Sequence, residues 1–436
     1  MKTRIDRLLR VFSDVHPGEG LRALGMLASL LVLMVAYYLL KTVREPLVLA
    51  TGGAEWKSYA AGLQAVTLIA FVPAYTWLTR RVGRRGLIIG LVGFFFVNLQ
   101  LFYVALRLGT RFVGIAFFVW VGIFSLSVIA QFWSFANDLY SRQDGERLFP
   151  IIAFGATLGS PIGARIAQAL FEHGVSPAAM IQIAAALLIV HGAITLRLVG
   201  ASTGVASDRP MASGSGGFSL IARSPYLGLV AVLLVLLNVV NTVGEYVLAK
   251  NVVHAAAHAA DKAAFIGSFY GSFFFWVNVT AALVQAFLVS RLVKRTGVRG
   301  VLLLFPLLAF GVYAMMAAGV SFAVLRWLKT ADNATDYSVM NTGRAMLWLP
   351  TTREEKYRAK QAMDTFVVRF GDVLATAVVV TATSLLHLGP SALAAMNAIV
   401  AVGWIFVAAA VARQNSASQA RAAEPAAAPV PRLRAA

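Results

Sequence analysis

The sequence contains no cysteine among its 436 residues, and charged side chains make up only 13% of it. Without cysteine the chain can form no disulfide framework, thiolate metal site or cysteine nucleophile. The charged fraction is about half that of an ordinary soluble domain, which argues against a soluble protein. With 59% hydrophobic residues and a mean hydropathy of +0.75, the sequence predicts an all-α protein that crosses a membrane several times.

Acidic residues are also scarce, with 19 of them against 38 lysines and arginines. Most of the basic residues lie between apolar runs, where the positive-inside rule explains them, and no nucleic-acid signature accompanies them. We therefore expect a bilayer as partner and no nucleic acid, and we place the chain in a bacterial inner membrane with both termini cytoplasmic. The basic loops that set this orientation are 80–85, 141–147, 291–299 and 351–360.

Twelve apolar segments have the length of membrane-spanning helices. They are 23–43, 58–79, 86–106, 113–138, 150–171, 178–199, 225–248, 264–290, 300–318, 321–346, 361–386 and 391–412. The motif RRVGRRG at 80–86 recurs as KRTGVRG at 294–300, after the second segment of each six-segment set. The sequence therefore predicts two parallel six-helix repeats, which is the architecture of major facilitator transporters.

Composition places the boundaries between these units. Residues 1–199 form the predicted N-terminal half, and a Gly- and Ser-rich cytoplasmic linker follows at 200–223. The predicted C-terminal half covers 224–413, and an Ala- and Pro-rich tail at 414–436 is expected to be disordered.

The tenth segment carries five charged residues, Arg326, Lys329, Asp332, Asp336 and Arg344. A charge at bilayer depth costs about 2.5–3.5 kcal/mol, so these side chains must face protein or water. Lys329, Asp332 and Asp336 also share one side of a helix by their spacing. The segment is therefore predicted to form one wall of a polar pathway.

The end of the first segment combines aromatic rings with charge, at Tyr37, Tyr38, Lys41, Arg44 and Glu45. Positions 37, 41 and 44 share a helical face. Two rings and two cations could receive an anionic substrate that also contains a ring. The alternative is a cluster of snorkelling side chains at the membrane interface.

Three further segments contain intramembrane polar residues. Asn137 lies in the fourth segment, where it could line a cavity or bond to a neighbouring helix. Glu245 in the seventh segment could bind a coupling proton or pair with a basic residue. Arg369 and Asp372 in the eleventh segment are three residues apart and could neutralise each other.

Counted together, the candidate intramembrane cations and anions number six each, so charge alone does not define the substrate. Gly155, Gly159 and Gly163 lack the strand and Lys-Ser/Thr of a phosphate-binding loop, and they predict close helix packing instead. His254 and His258 lie in a loop without further apparent ligands, and we expect no metal and no cofactor.

Three stretches resemble the ATP/ADP translocase family of nucleotide exchange transporters. They are KTVREPLVLATGGAEWKSY at 41–59, FWSFANDLYSRQDGERLFPIIAFGA at 132–156 and RWLKTADNATDYSVMNTGRAMLWLPTTREEKYRAKQAMDTFVVRFGD at 326–372. The third stretch is most similar to the short members of free-living bacteria. Two positions depart from the family pattern: Val119 stands where the family has Glu, and Arg44 stands where it has Lys.

The resemblance implies a major-facilitator-like fold of twelve helices that exchanges nucleotides, or a related anion, through a central basic cavity. By the same resemblance, Arg44 would be a substrate-binding cation and Asn137 a cavity residue. No nucleophile and base pair or cofactor motif indicates an enzyme.

The sequence thus predicts a secondary transporter, acting as a monomer, that moves an anionic nucleotide or phosphorylated solute by alternating access. The predicted substrate-binding residues are Tyr38, Lys41, Arg44, Asn137, Arg326, Lys329 and Arg369. The predicted gating or coupling residues are Glu45, Glu245, Asp332, Asp336 and Asp372. Three alternatives stay open: a lipid or lipid-linked phosphate, another organic anion with proton coupling, and a non-transporting sensor or assembly module.

Overall fold

The computed structural model describes Asp6, Leu9 and residues 13–79, 81–199, 216–352 and 354–423. Within these ranges the chain is helical and contains no β-strand, so the predicted all-α fold is confirmed. In the predicted N-terminal half, five helices have both ends among the described residues: α1 Gly20–Thr79, α2 Arg84–Arg107, α3 Val113–Leu139, α4 Arg142–Glu172 and α5 Pro177–Val199.

The short helix α6, Gly217–Arg223, lies in the predicted linker. The described residues after it form α7 Pro225–Ala256, α8 Lys262–Val284, α9 Ser290–Ala317, α10 Phe322–Thr335, α11 Asn341–Met346, α12 Lys360–Ala362, α13 Val368–Val380 and α14 Pro390–Ala423. Widened π-helical turns extend or connect several of these helices, at Gln285–Val289, Asp336–Met340, Glu355–Ala359, Met363–Val367 and Thr381–Leu385. The predicted charged tenth segment is therefore α10, a π turn and α11.

Nine helical runs in the described residues are long and apolar enough to cross a membrane. Two of them contain 60 and 56 residues. As unbroken helices at 1.5 Å per residue each would extend for more than about 80 Å, whereas the hydrocarbon core of a bilayer is about 30 Å thick. Each of the two contains a glycine with positive φ that breaks the helix, Gly53 at +70° and Gly297 at +61°. The two runs thus have the length for two crossings each, and the count of twelve spans stays a prediction.

Helix α4 lies in close contact with α1 along Gly155, Gly159 and Gly163, which we call the glycine stripe. A Cβ on Gly155 would lie 2.4 Å from the Leu27 carbonyl oxygen, and one on Gly159 would lie 2.6 Å from that of Leu31. No larger side chain fits without moving the backbone, since carbon and oxygen atoms do not approach so closely. The prediction of close helix packing is confirmed at these positions.

The predicted linker and tail both contain helical residues. Residues 200–215 of the linker lie outside the described residues, whereas Gly217–Arg223 forms α6. Helix α14 extends to Ala423, ten residues beyond the predicted boundary at 413. The added residues are mostly good helix formers, and the next proline is Pro425, so local propensity allows the longer helix. The rest of the tail lies outside the described residues.

The two ends of the helix bundle differ. We call the end with the loops at 80–85, 141–147, 291–299 and 351–360 the basic end. There a cavity of about 590 Å³ separates the end of α1 from α6 and the residues before α13. Toward the other end, Gly267 and Gly271 of α8 lie directly against Phe171 and Gln168 of α4. The two halves therefore meet at the end opposite the basic loops.

Candidate substrate pathway between the two halves

A continuous series of ion pairs joins the two halves. Glu45 accepts from Arg44 at 3.0 Å and lies 2.9 Å from the Lys57 ammonium, and Lys57 in turn lies 3.3 Å from Glu245. Lys329 continues the series, at 3.9 Å from Glu245 and 2.6 Å from Asp332. We call this set the ion chain; its members are Arg44, Glu45, Lys57, Glu245, Lys329 and Asp332.

Most of the ion chain is withdrawn from solvent, although the side chains of Arg44 and Glu245 are 16% and 29% exposed. The side chains of Glu45, Lys329 and Asp332 are 0% exposed. Buried charges are tolerated only when they are paired and hydrogen bonded, and the three cations here match three carboxylates. Two tyrosine hydroxyls complete the set: that of Tyr270 accepts from Lys57 at 3.3 Å, and that of Tyr313 accepts from Lys329 at 3.2 Å. The chain can therefore hold the halves together without an external ion.

Helix α10 and the π turn after it present one polar face to α7. The Asn333 amide donates to Glu245 at 3.0 Å, and the Asn241 amide of α7 donates to Asp336 at 3.0 Å. This is the face on which the sequence spacing places Lys329, Asp332 and Asp336. The face is one wall of the contact between the halves, because Glu245 also bonds to Lys57 of α1.

Lys41 differs from the ion chain because its neighbours are aromatic. Its ammonium lies 4.5 Å from the Phe274 ring centroid, 5.0 Å from that of Tyr38 and 5.7 Å from that of Tyr337. The Tyr337 hydroxyl is 3.5 Å away. In the part of the chain that the structure describes, no carboxylate lies within ion-pair distance of this buried lysine. The rings come from both halves, so Lys41 lies at their interface.

Other predicted site residues lie apart from the ion chain. Arg326 donates to Ser272 at 2.6 Å and lies over the rings of Trp327 and Phe269. Arg369 pairs with Asp372 at 3.0 Å within α13. Asn137 is exposed near the end of α3. Together with Asp336, which bonds to Asn241, these residues are not members of the ion chain.

The sequence pattern did not single out Lys57, although Lys57 connects the two halves of the ion chain. It directly precedes an apolar segment, where an interfacial lysine looks the same. Glu55 was missed for the same reason, and it accepts from Lys250 at 2.5 Å and from Tyr246 at 2.9 Å. Both residues follow Gly53, whose break in α1 turns the chain back and places them opposite α7. The available signal was the stretch GAEWK itself, which lies in the first region of family resemblance.

Comparison with known proteins identifies the family. The model of the TLC ATP/ADP transporter family matches residues 115–415, more than half of the chain. The chain belongs to this family. The ADP,ATP carrier protein 1 of Chlamydia pneumoniae is 20% identical to this TLC-family chain over 299 residues, which are 57% of this chain and 56% of the carrier. The match thus spans little more than half of the curated relative's length.

Solved structures support the fold of this TLC-family chain. The nucleoside transporter NupG (D323A mutant) has a TM-score of 0.67 at 12% identity, covering 89% of this chain and 99% of that one. A POT family transporter in complex with 5-aminolevulinic acid has a TM-score of 0.65 at 11% identity, covering 90% and 96%. At such identities the likeness shows the fold alone, which is that of major facilitator transporters. With the nine apolar helical runs in its described residues, this TLC-family chain is a multi-pass membrane protein.

Proposed function

We propose that the protein exchanges an anionic nucleotide, of the ATP/ADP type, or a closely related phosphorylated solute across the bacterial inner membrane. The TLC family supports a nucleotide as substrate, and the curated relative is named as an ADP,ATP carrier. The basic loops support a cytoplasmic location of the basic end and of both termini.

The environment of Lys41 is the observation that carries this proposal. A buried ammonium without a carboxylate partner in the described residues is an unfavourable arrangement that an anionic ligand would relieve. The surrounding rings of Tyr38, Phe274 and Tyr337 supply flat surfaces against which a nucleobase can stack. One phosphate-binding cation beside several aromatic rings suits a ligand that combines phosphate with a ring.

Alternating access gives the ion chain its role in the proposal. The halves meet at the end opposite the basic loops, and the ion chain joins them across Lys57 and Glu245. This arrangement corresponds to a carrier closed at one end. A phosphate that approaches Lys41 also approaches Arg44, three residues further along α1, and would compete with Glu45 for that guanidinium. Substrate binding would thereby weaken the closed end.

The remaining predicted residues receive roles that follow from their contacts. Lys329 and Asp332 would anchor the C-terminal part of the gate, since both are buried and mutually paired. Asp336, held by Asn241, would be the carboxylate available to a coupling proton. The substrate would contact Arg326, Arg369 and Asn137 at other stages of its passage. Arg369 would first have to leave its ion pair with Asp372.

The test is exchange by purified protein in liposomes. Vesicles are loaded with ATP, ADP, a sugar phosphate, inorganic phosphate or a lipid phosphate, and uptake of labelled ADP is measured. We expect uptake only with internal nucleotide, and a loss of at least about tenfold in Lys41→Gln, since a charge-assisted phosphate contact is lost. Lys262→Gln, an exposed lysine at the start of α8, is the matched control and should retain full uptake.

Two results would overturn the proposal. One is well-folded wild-type protein that moves no nucleotide under any loading condition. The other is a Lys41→Gln variant with wild-type thermal stability and wild-type uptake.

A further inference from the structure

Two adjoining cavities lie at the seam between α1 and the C-terminal half, and the proposed exchange uses neither. The first, of about 590 Å³ at the basic end, is lined by Arg81 and Arg358 together with Thr76 and Gln361. The second, of about 640 Å³, is lined only by apolar side chains, among them those of Ile69, Val232 and Val235. Both cavities share two residues, Phe218 and Phe366, whose ring centroids are 5.4 Å apart. They therefore form one groove with a basic part and an apolar part.

The two parts follow the same order on both walls. On one wall, Ile69 of α1 lines the apolar part, and Arg81, two residues beyond the end of α1, lines the basic part. On the opposite wall, Phe370 lines the apolar part and Arg358 the basic part. The change from apolar to basic toward the end with the basic loops parallels the change from hydrocarbon to headgroups in one leaflet.

The basic part suits a phosphate group. The Arg81 guanidinium lies 4.2 Å from the Trp77 ring centroid, and no described carboxylate lies within ion-pair distance of it. Arg358 adds a second guanidinium to this part of the groove and pairs with Glu354 at 3.5 Å. Trp77 and Phe218 are more than half exposed, as aromatic side chains at a bilayer interface are.

We propose that this groove is a binding site for one anionic phospholipid. Its phosphate lies against Arg81, in the part of the groove that Arg358 also lines, and one acyl chain lies along Ile69, Val232 and Val235. Basic pockets between membrane helices on the cytoplasmic side are suited to anionic lipid headgroups. The site bridges the halves, because α1 belongs to one and α7 and α13 belong to the other. Lipid bound there would fill the space between the halves at the basic end and so keep them apart at that end. The site is independent of the nucleotide site and does not rest on the proposed exchange.

The experiment measures lipid retained by the full-length protein. Delipidated protein is titrated with phosphatidylglycerol or with phosphatidylcholine of identical chains, and bound lipid is counted by native mass spectrometry. We expect one phosphatidylglycerol to bind at least about tenfold more tightly than phosphatidylcholine. The double variant Arg81→Gln/Arg358→Gln should abolish this preference.

A matched double variant, Arg295→Gln/Arg299→Gln, removes the same charge from another loop of the basic end and should keep the preference. Val232→Trp fills the apolar part without changing charge and should weaken binding of long-chain phosphatidylglycerol at least about threefold. Equal retention of both lipids by the wild type would overturn the proposal. So would an Arg81→Gln/Arg358→Gln protein that binds phosphatidylglycerol as the wild type does.

Discussion

Lys57 and Glu245 are 188 residues apart and belong to different halves, yet their charged groups meet at 3.3 Å. Lys57 also contacts Glu45 at 2.9 Å, so one ammonium lies between two carboxylates. This contact converts two local ion pairs, one in each half, into a single chain across the interface. The end opposite the basic loops is therefore held closed by charge as well as by helix packing.

The ion chain predicts a charge-balance effect on stability. Lys57→Gln leaves two cations facing three carboxylates in a buried site, and we expect a loss of about 3–5 kcal/mol in the free energy of unfolding. Lys57→Gln/Glu245→Gln restores the balance and should recover more than half of that loss. Denaturant unfolding of the detergent-solubilised protein measures both. A double variant no more stable than the single one would contradict the cooperative ion chain.

The absence of cysteine allows a direct test of gating. A Cβ on Gly62 of α1 would lie 3.2 Å from the Thr376 Cβ of α13, close to the range of about 3.5–4.5 Å for a disulfide. Gly62→Cys/Thr376→Cys should form a disulfide between the halves and stop exchange until a reductant is added.

The control for this cross-link lies within one half. A Cβ on Gly192 of α5 would lie 3.6 Å from the Val92 Cβ of α2. Val92→Cys/Gly192→Cys should form a disulfide equally well and leave exchange unchanged. If the inter-half disulfide formed and exchange continued, movement of α1 against α13 would not be part of transport.

The glycine stripe of α4 predicts a packing effect. Gly155→Ala places a methyl group 2.4 Å from the Leu27 carbonyl oxygen, so the helices must separate. We expect a loss of about 1–3 kcal/mol, measured as a lower unfolding temperature. Gly93→Ala on α2 is the control, because its Cβ meets no atom within 4 Å and alanine favours the helix. Equal stability of the two variants would exclude tight packing at Gly155.

Glu19, just before α1, predicts a pH effect. Burial alone would raise the pKa of this carboxyl, but hydrogen bonds from Arg147 and the His16 amide hold the pKa below its ordinary value of 4.5. A lowered pKa in the folded state stabilises the protein above pH 4.5 and ceases to do so as the pH falls through the folded value. Glu19→Gln should therefore lower the unfolding temperature at pH 7, and the difference from wild type should shrink below about pH 4.5. A difference that stays constant with pH would contradict the ionic role of Glu19.

Local spacing was sufficient for contacts within a single helix. Lys329 and Asp332, like Arg369 and Asp372, are three residues apart, and each pair forms an ion pair. Helical periodicity determines such contacts, because residues three or four apart lie on one face. The same periodicity indicated that Lys329, Asp332 and Asp336 line one wall.

Contacts between helices could not be obtained in this way. Lys57 and Glu55 lie at the start of an apolar segment, where nothing local distinguishes a residue that pairs across the halves from an interfacial one. Their role depends on the break at Gly53, on the approach of α7, and on Glu245 lying opposite. Likewise, the surroundings of Lys41 include Phe274 and Tyr337, more than 230 residues away.

The sequence by itself determined that this protein is helical and membrane-bound, and its motifs indicated the family. Long apolar runs must form helices in lipid, where every backbone polar group has to bond within its own segment. Only the tertiary structure decided which charges pair across the halves, that Lys41 is left among aromatic rings, and that a basic pocket continues into an apolar groove. The reason is that these features arise from packing between distant helices, which hydropathy and periodicity do not encode.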